Sequence, residues 1–192
     1  MLKANGITDV RIARINGNLT DNYNPSTKIL SLSDSTYGST SIAAVGVAAH
    51  ETGHAIQHHV GYGPLSFRSI LVPVANFGSR FGPTLAIIGV ILGAAASFEA
   101  YMPIFQFITN LGLLLFGGSV LFYLVTLPVE FNASNRALKI LKETGTLTTR
   151  DEISGARKVL GAAAMTYVAA ALTAIGTFIR LLVITGNRRN RR

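Results

Sequence analysis

The chain contains no cysteine among its 192 residues and has few charged residues. Without cysteine it forms neither a disulfide nor a thiolate metal site, so any metal ion must be held by histidine, aspartate or glutamate. Charged residues make up only 14% of the sequence, whereas soluble domains carry about a quarter. The opening stretch, MLKANGITDVRIAR, is polar and shows no signal peptide. What remains is an apolar chain, with 49% hydrophobic residues.

The net charge of +8 limits the classes of partner that the protein is expected to bind. Its 17 Lys and Arg residues outnumber 9 Asp and Glu residues, which is typical of proteins that bind nucleic acid or anionic lipid, or that use basic residues as membrane-topology signals. The sequence has no interleaved aromatic and basic residues, no zinc-finger spacing and no glycine-rich RNA-binding signature. These absences exclude nucleic acid and leave the lipid bilayer as the predicted partner.

Three long apolar runs predict membrane helices. Residues 81–98 form an uncharged run of 18, and 104–127 lies between two prolines; together they predict a transmembrane hairpin. Gly89 and Gly93 form a G-x-x-x-G pair that allows close helix packing. A third span is predicted over 159–184. The chain is therefore expected to be a multi-pass protein of a cell membrane.

The region before the hairpin predicts a small β segment followed by a helix. DVRIARI is typical of a strand, and LTDNYNPSTKILSLS of a hairpin that turns at Asn24-Pro25-Ser26. We expect KILSLS to be an edge strand able to bind extended peptide by strand addition. A helix is predicted over 41–59, capped by Ser39 or Thr40. LSFRSILVPVANFGSR, broken by Pro73, predicts an interfacial helix or loop.

The predicted helix over 41–59 carries the motif His50-Glu51-Thr52-Gly53-His54. Two histidines four residues apart share a helix face, so their imidazoles can converge on one zinc ion. Glu51 lies about 100° around the helix, where it can reach a water bound to the metal and serve as the general base. The motif therefore predicts a zinc-dependent peptidase with one zinc ion per chain.

The third zinc ligand is expected to be a carboxylate from another part of the chain. Glu99 falls in the loop at the far end of the predicted hairpin, whereas Glu130 follows the second span. A hairpin returns the chain to the side from which it left, so this geometry selects Glu130 over Glu99. The alternative for Glu130 is an interfacial carboxylate at a helix start.

Three further side chains are candidates for supporting roles. Ser134 shares a helix face with Glu130 and is placed to orient a histidine ligand. Arg136 is a candidate for stabilising the oxyanion or pairing with a glutamate, with a solvated helix face as its alternative. His58 continues the stripe of His50 and His54; it is either a polar helix end or a group that orients a ligand or binds a substrate carbonyl.

At this point the sequence resembles a known family. VAAHETGHAIQH, then a membrane hairpin, then LPVEFNASNRALKIL, is similar to the YugP-like neutral zinc metallopeptidases of bacterial membranes, as is LSFRSILVPVANFGSR. The resemblance implies a membrane zinc peptidase with His50 and His54 as ligands and Glu51 as base, and it strengthens Glu130 as third ligand. It also implies a further N-terminal membrane helix before the position of Lys3, which this sequence does not include.

EFNAS is also similar to the Glu-aromatic-x-Ala-Asp pattern of HtpX-type membrane peptidases, although Ser134 stands where those proteins have aspartate. The fold class predicted from all these features is α+β, with a zincin-like HExxH helix, a small β hairpin and three transmembrane helices. The expected segments are a zincin-like N-terminal half over 1–80, a membrane hairpin over 81–128, a helix with the third ligand over 129–158, a last span over 159–186 and a basic tail over 187–192.

The predicted function is hydrolysis of peptide bonds in peptides or membrane proteins. A non-enzymatic membrane scaffold with a structural zinc site is the main alternative, but such a site does not need Glu51 as a base. A transporter would place ionisable residues inside the spans, and an intramembrane protease would place HExxH in a spanning helix. Counting Lys and Arg beside the spans favours a cytoplasmic active site, whereas the dense basic tail favours the opposite side.

Overall fold

A computed structural model of the chain describes residues 1–95 and 99–189. Three strands come first, followed by four helices, with short 3₁₀ turns at Lys3–Asn5 and Glu99–Tyr101. The elements are β1 (Arg11–Ile15), β2 (Asn22–Asn24), β3 (Ile29–Ser33), α1 (Ile42–His59), α2 (Gly63–Ala95), α3 (Met102–Glu143) and α4 (Arg150–Arg189). The predicted combination of a small sheet with membrane-length helices is therefore confirmed.

The chain folds into two compact units, and each is built from two separated stretches. The first unit contains Met1–Ser66 and Leu127–Tyr167; the second contains Phe67–Thr126 and Val168–Arg192, within the described residues. The first unit includes the sheet, α1, the end of α3 and the start of α4. The five successive segments expected from the sequence describe stretches of the chain rather than compact units, and they stay a prediction.

The sheet of the first unit has the strand order β1-β3-β2. The predicted hairpin is confirmed, since β2 and β3 pair antiparallel, with Tyr23 opposite Leu30. The prediction that KILSLS is an edge strand is wrong, because β1 pairs with the other side of β3 in parallel register, with Ile12 opposite Leu30. A parallel pairing of this kind joins distant stretches, and alternation within the strand does not reveal it.

Helix α1 matches the helix predicted over 41–59, but its N-cap is Ser41 rather than Ser39 or Thr40. The Ser41 hydroxyl accepts a hydrogen bond from the Ala44 N–H at 3.2 Å, satisfying a donor that the first helical turn leaves free. At the C-terminal end of α1, Gly61 has φ of 64°, a left-handed conformation that suits a residue without Cβ. These signals fix the ends of the helix that carries the HExxH motif.

Apolar contacts hold α1 against α3 and α4 within the first unit. One core cluster joins Ala49 of α1 with α3, the following loop and α4, through Ala137, Leu141, Leu147, Ile153, Ala156 and Leu160. A second joins Ile7, Ala55, Ile56 and Ile140. Small alanine side chains at the helix contacts let the helices approach closely, which brings the polar residues between the two clusters near one another.

Helix α2 is continuous from Gly63 to Ala95, with Pro73 and Pro83 inside it. The predicted interruption at Pro73 is therefore wrong. Proline removes one backbone donor from a helix, but long apolar helices tolerate it where neighbouring groups satisfy the carbonyl that is set free. The end of the span predicted over 81–98 reaches residues 96–98, which lie outside the described residues.

Helix α3 runs from Met102 to Glu143 with Pro128 inside it. The predicted change from a membrane span to a separate helix at Pro128 is wrong, and Glu130 lies on the same helix as the second apolar run. Helix α4 includes the third predicted span and extends to Arg189. The basic tail predicted over 187–192 is thus helical at its start, and residues 190–192 lie outside the described residues.

The second unit packs its helices through small residues. A Cβ on Gly89 would collide with the Thr109 hydroxyl, whereas one on Gly93 would make only ordinary contact with Phe105 at 3.5 Å. The buried Ser119 hydroxyl donates to the Ala75 carbonyl at 3.2 Å, which joins α2 to α3. Such contacts are typical of membrane helices.

Helices α2, α3 and α4 are each long and apolar enough to cross a membrane, with mean hydropathy of 1.4, 2.0 and 2.0 over their most apolar windows. Many large apolar side chains of the second unit are exposed, among them Ile70, Phe107, Leu114 and Leu172. In water such a surface would be costly, whereas hydrocarbon solvates it.

Candidate metal centre

Three side chains of the first unit converge at the contact between α1 and α3. The His50 Nε2 lies 3.1 Å from Glu130 Oε2, and the His54 Nε2 lies 3.6 Å from the same oxygen. The two imidazole rings are nearly perpendicular, with centroids 4.7 Å apart. Within the described parts of the chain, 1–95 and 99–189, this is the one group of three metal-ligating side chains whose ligand atoms all lie within 4.8 Å.

The two distances to Glu130 Oε2 are close to those between neighbouring ligands of a zinc ion. Tetrahedral zinc with bonds of about 2.1 Å to nitrogen or oxygen has neighbouring ligand atoms about 3.4 Å apart, and the two measured distances are 3.1 and 3.6 Å. The donor set of two imidazole nitrogens and one carboxylate is one that catalytic zinc sites use. The residues present therefore fit a zinc ion, and three ligands leave a fourth position for water.

A close approach of α1 to α3 makes this convergence possible. Gly53, the residue before the second histidine, faces Ala133 of α3, and a Cβ there would lie 2.5 Å from the Ala133 carbonyl oxygen. That distance is well inside van der Waals contact. Only glycine fits between Glu51 and His54 at this position, so the motif sets the spacing of the helices as well as the ligands.

Replacing Gly53 with alanine should push α1 away from α3. We expect a loss of about 1–3 kcal/mol of stability from overpacking and a fall in zinc affinity, measured by thermal melting and by zinc titration of the purified protein. Gly46→Ala is the matched control, since a Cβ at Gly46 of α1 would meet Ala156 at 3.9 Å, an ordinary contact. Equal stability and zinc affinity in the two variants would refute the tight-contact interpretation.

Each histidine is held at its second ring nitrogen. The His50 Nδ1 lies 3.1 Å from the Ser134 hydroxyl, and the His54 Nδ1 lies 3.0 Å from Gln57 Oε1. A partner at Nδ1 orients the ring so that Nε2 faces the metal position. Ser134 thus lies where the sequence placed it, beside a histidine, and its role in orienting that ligand stays a prediction.

The charges around the cluster favour binding of a cation. Burial disfavours a charged His54, but the hydrogen bond and the negative charge of Glu130 outweigh it and raise the pKa of the His54 imidazole. Burial also raises the pKa of the Glu51 carboxyl, an effect that His54 and His50 partly offset. The side chain of Glu130 is only 2% exposed, and a buried carboxylate of this kind requires a positive partner.

Arg136 and His58 have partners outside the three-residue cluster. The Arg136 Nε donates to Asn132 Oδ1 at 2.8 Å, and this is not the glutamate pairing that the sequence suggested. The His58 Nδ1 lies 2.8 Å from the Tyr23 hydroxyl of β2, one turn along α1 from His54. His58 therefore contacts the sheet, and its proposed contact with a metal ligand has no support in this geometry.

Gln57, Asn132 and Tyr23 are the polar residues near the cluster that sequence reasoning missed. Gln57 offered one signal, because it is an uncharged polar residue three positions after His54 and can face it on the same helix. Its other two contacts, however, are with residues 72 and 75 positions away. Asn132 and Tyr23 carried no comparable signal.

Three membrane-length helices and a cluster of two histidines and a glutamate that could hold a metal ion define the class: a multi-pass membrane protein with a candidate metal centre. Comparison with known proteins agrees. The chain belongs to the family described as "Putative neutral zinc metallopeptidase", whose model matches residues 1–186. It is 42% identical to "Putative membrane protease YugP" of Bacillus subtilis over 190 residues, covering 99% of this chain and 79% of that relative. No solved structure matches the chain.

Proposed function

We propose that the protein is a membrane-embedded zinc metallopeptidase that hydrolyses peptide bonds. His50, His54 and Glu130 would hold one zinc ion, and Glu51 would be the general base. The observation that carries the proposal is the convergence of two Nε2 atoms on one carboxylate oxygen, at 3.1 and 3.6 Å. Membership of a family described by zinc metallopeptidase activity supports it.

The chemistry divides between the metal and the chain. When bound, zinc lowers the pKa of a coordinated water and polarises a carbonyl. The chain would supply two neutral imidazoles through Nε2 and one negative carboxylate, which keep the metal in place. Glu51, one residue after His50, would take a proton from the attacking water at its carboxylate and later deliver it to the nitrogen of the leaving amine.

Two features favour a catalytic over a purely structural zinc site. His50, His54 and Glu130 supply three protein ligands and leave one position for water, whereas structural zinc sites are closed by four protein ligands. Glu51 directly follows His50 and is not among the three proposed ligands, so it is available as a base. A scaffold with structural zinc remains the alternative that the experiment below must exclude.

The substrate is proposed to be a peptide or a segment of a membrane protein. Strand addition, if it is used, would occur at an edge of the three-stranded sheet, and those edges are β1 and β2. Of the two, β2 packs against α1 and contributes Tyr23, which bonds His58. Proline at Ile29 would disrupt the central strand rather than test substrate binding.

Zinc content and peptide cleavage, measured together on detergent-purified protein, test the function. We expect about one zinc ion per chain, cleavage of casein or a labelled peptide, loss of cleavage with a chelator, and recovery when zinc is restored. Bound zinc without any cleavage, in detergent and in reconstituted lipid, would favour the scaffold. Absence of zinc binding would contradict the metal centre itself.

A further inference from the structure

Gln57 is a buried polar side chain that makes three hydrogen bonds beside the candidate metal centre. It lies on α1, three residues after His54, and is 0% exposed. Its Oε1 lies 3.0 Å from His54 Nδ1, and its Nε2 donates to the Val129 carbonyl at 2.8 Å and to Asn132 Oδ1 at 3.0 Å. A buried amide costs free energy unless it is hydrogen-bonded, so three bonds at normal distances mark a built arrangement.

The Val129 carbonyl fixes which way the amide of Gln57 points. A backbone carbonyl can only accept, so the NH₂ group must face Val129 and the oxygen must face His54. An amide oxygen can only accept as well, so His54 Nδ1 must carry the proton. In the neutral imidazole the proton on Nδ1 leaves Nε2 with a lone pair for a metal ion, and Nε2 is the atom that faces Glu130.

The partners of Gln57 lie on both sides of Glu130 along α3. Val129 precedes it by one residue, and Asn132 follows within the same turn. Asn132 Oδ1 also accepts from Arg136 Nε at 2.8 Å, so its own orientation is set by two donors. A continuous chain of hydrogen bonds therefore runs from His54 through Gln57 to the helix that supplies the third ligand.

The corresponding contact of His50 does not specify which tautomer its ring adopts. Its Nδ1 faces the Ser134 hydroxyl at 3.1 Å, and a hydroxyl can rotate to donate or to accept. Ser134 is therefore compatible with either tautomer of His50, whereas Gln57 is compatible with only one tautomer of His54. The hydrogen-bond partner of His54 therefore fixes its tautomer, whereas the partner of His50 does not.

We infer that Gln57 is a positioning residue of the metal centre: it fixes the tautomer and ring orientation of His54 and ties that ligand to the helix turn that bears Glu130. This inference rests on the proposed zinc site but not on peptidase activity. Partners of this kind typically change metal affinity by about 10–100-fold when removed.

The test compares Gln57→Met with Gln57→Glu in the full chain. Methionine keeps much of the volume and removes the acceptor, so zinc affinity, titrated against a competing chelator, should fall about 10–100-fold. Glutamate keeps an oxygen for the His54 Nδ1–H but has no NH₂ to donate to the Val129 carbonyl and Asn132 Oδ1, so zinc affinity should also fall, though by less than in Gln57→Met. Gln106→Met is the matched control, since Gln106 is exposed in the second unit.

Two readouts separate positioning from a general loss of structure. Cobalt(II), used in place of zinc, should give an altered visible absorption spectrum in Gln57→Met and an unaltered one in Gln106→Met. Thermal melting of the metal-free protein should show that each variant is folded. If Gln57→Met does not fold, Gln57→Glu decides: a folded variant with lowered zinc affinity supports the inference, and a folded variant with wild-type zinc affinity overturns it.

Wild-type zinc affinity and an unchanged cobalt spectrum in Gln57→Met would also overturn the inference. That result would leave the peptidase proposal standing. Conversely, a wild-type protein that binds zinc tightly but cleaves nothing would contradict the peptidase proposal, while the affinity comparison at Gln57 would still decide whether this residue positions His54.

Discussion

Replacing Glu51 with glutamine is expected to lower the rate of peptide cleavage by about 10²–10⁴-fold, the usual contribution of a general base. Zinc content should stay near one ion per chain, because the proposed ligands are His50, His54 and Glu130. Glutamine keeps the size of the side chain and removes its capacity to accept a proton from water. Single-turnover cleavage of a labelled peptide and metal analysis of the same sample provide the measurement.

The control for this variant is Glu143→Gln on α3. Glu143 has a side chain that is 62% exposed, so the same chemical change far from the cluster should alter neither cleavage nor zinc content. Wild-type cleavage by Glu51→Gln would rule out its role as base. Loss of zinc in that variant would instead make Glu51 a ligand and require the cluster to be reassigned.

Glu130→Gln is expected to have the largest effect on zinc. The carboxylate of Glu130 is almost completely buried and lies next to Nε2 of both histidines. An amide oxygen carries no charge and is a weaker zinc ligand, so affinity should fall by at least about 100-fold, more than changes to residues behind a ligand typically cause. Zinc titration against a chelator measures this, and cleavage at limiting zinc should fall in parallel.

Glu99→Gln is the informative comparison for the third ligand, because the sequence offered Glu99 and Glu130 as rivals. We expect Glu99→Gln to bind zinc as the wild type does. The assignment of Glu130 would be abandoned if Glu130→Gln kept its zinc while Glu99→Gln lost it. The distances around Glu130 favour the opposite result.

The grouping of His50, His54 and Glu130 was predictable, because it depends on short-range spacing in the sequence. His50, Glu51 and His54 follow from a four-residue helical repeat, and Glu130 follows from the return of a membrane hairpin. The approximate positions of α1 and of the three apolar helices follow from composition. Each of these inferences uses information within about one helix or one hairpin of sequence.

Features that depend on distant pairing or on solvent were not predictable. Pro73 and Pro128 predict boundaries because proline usually ends helices in water, yet both lie inside long apolar helices. The central position of β3 required β1 to return in parallel. The contacts of Gln57 cross 72 and 75 residues, and the need for glycine at Gly53 appears only once Ala133 lies against it.

The first unit is built from two stretches of sequence with part of the second unit between them, and this order has a consequence for biosynthesis. Its two ligand histidines are translated long before their carboxylate, since His50 and Glu130 are separated by 80 residues, and the stretch Phe67–Thr126 between them belongs to the other unit. A nascent chain therefore holds an incomplete ligand set until two apolar helices have been made. The proposed ligand set is therefore complete only at a late stage of synthesis, and we expect an unfinished chain neither to hold the metal ion nor to cleave peptides.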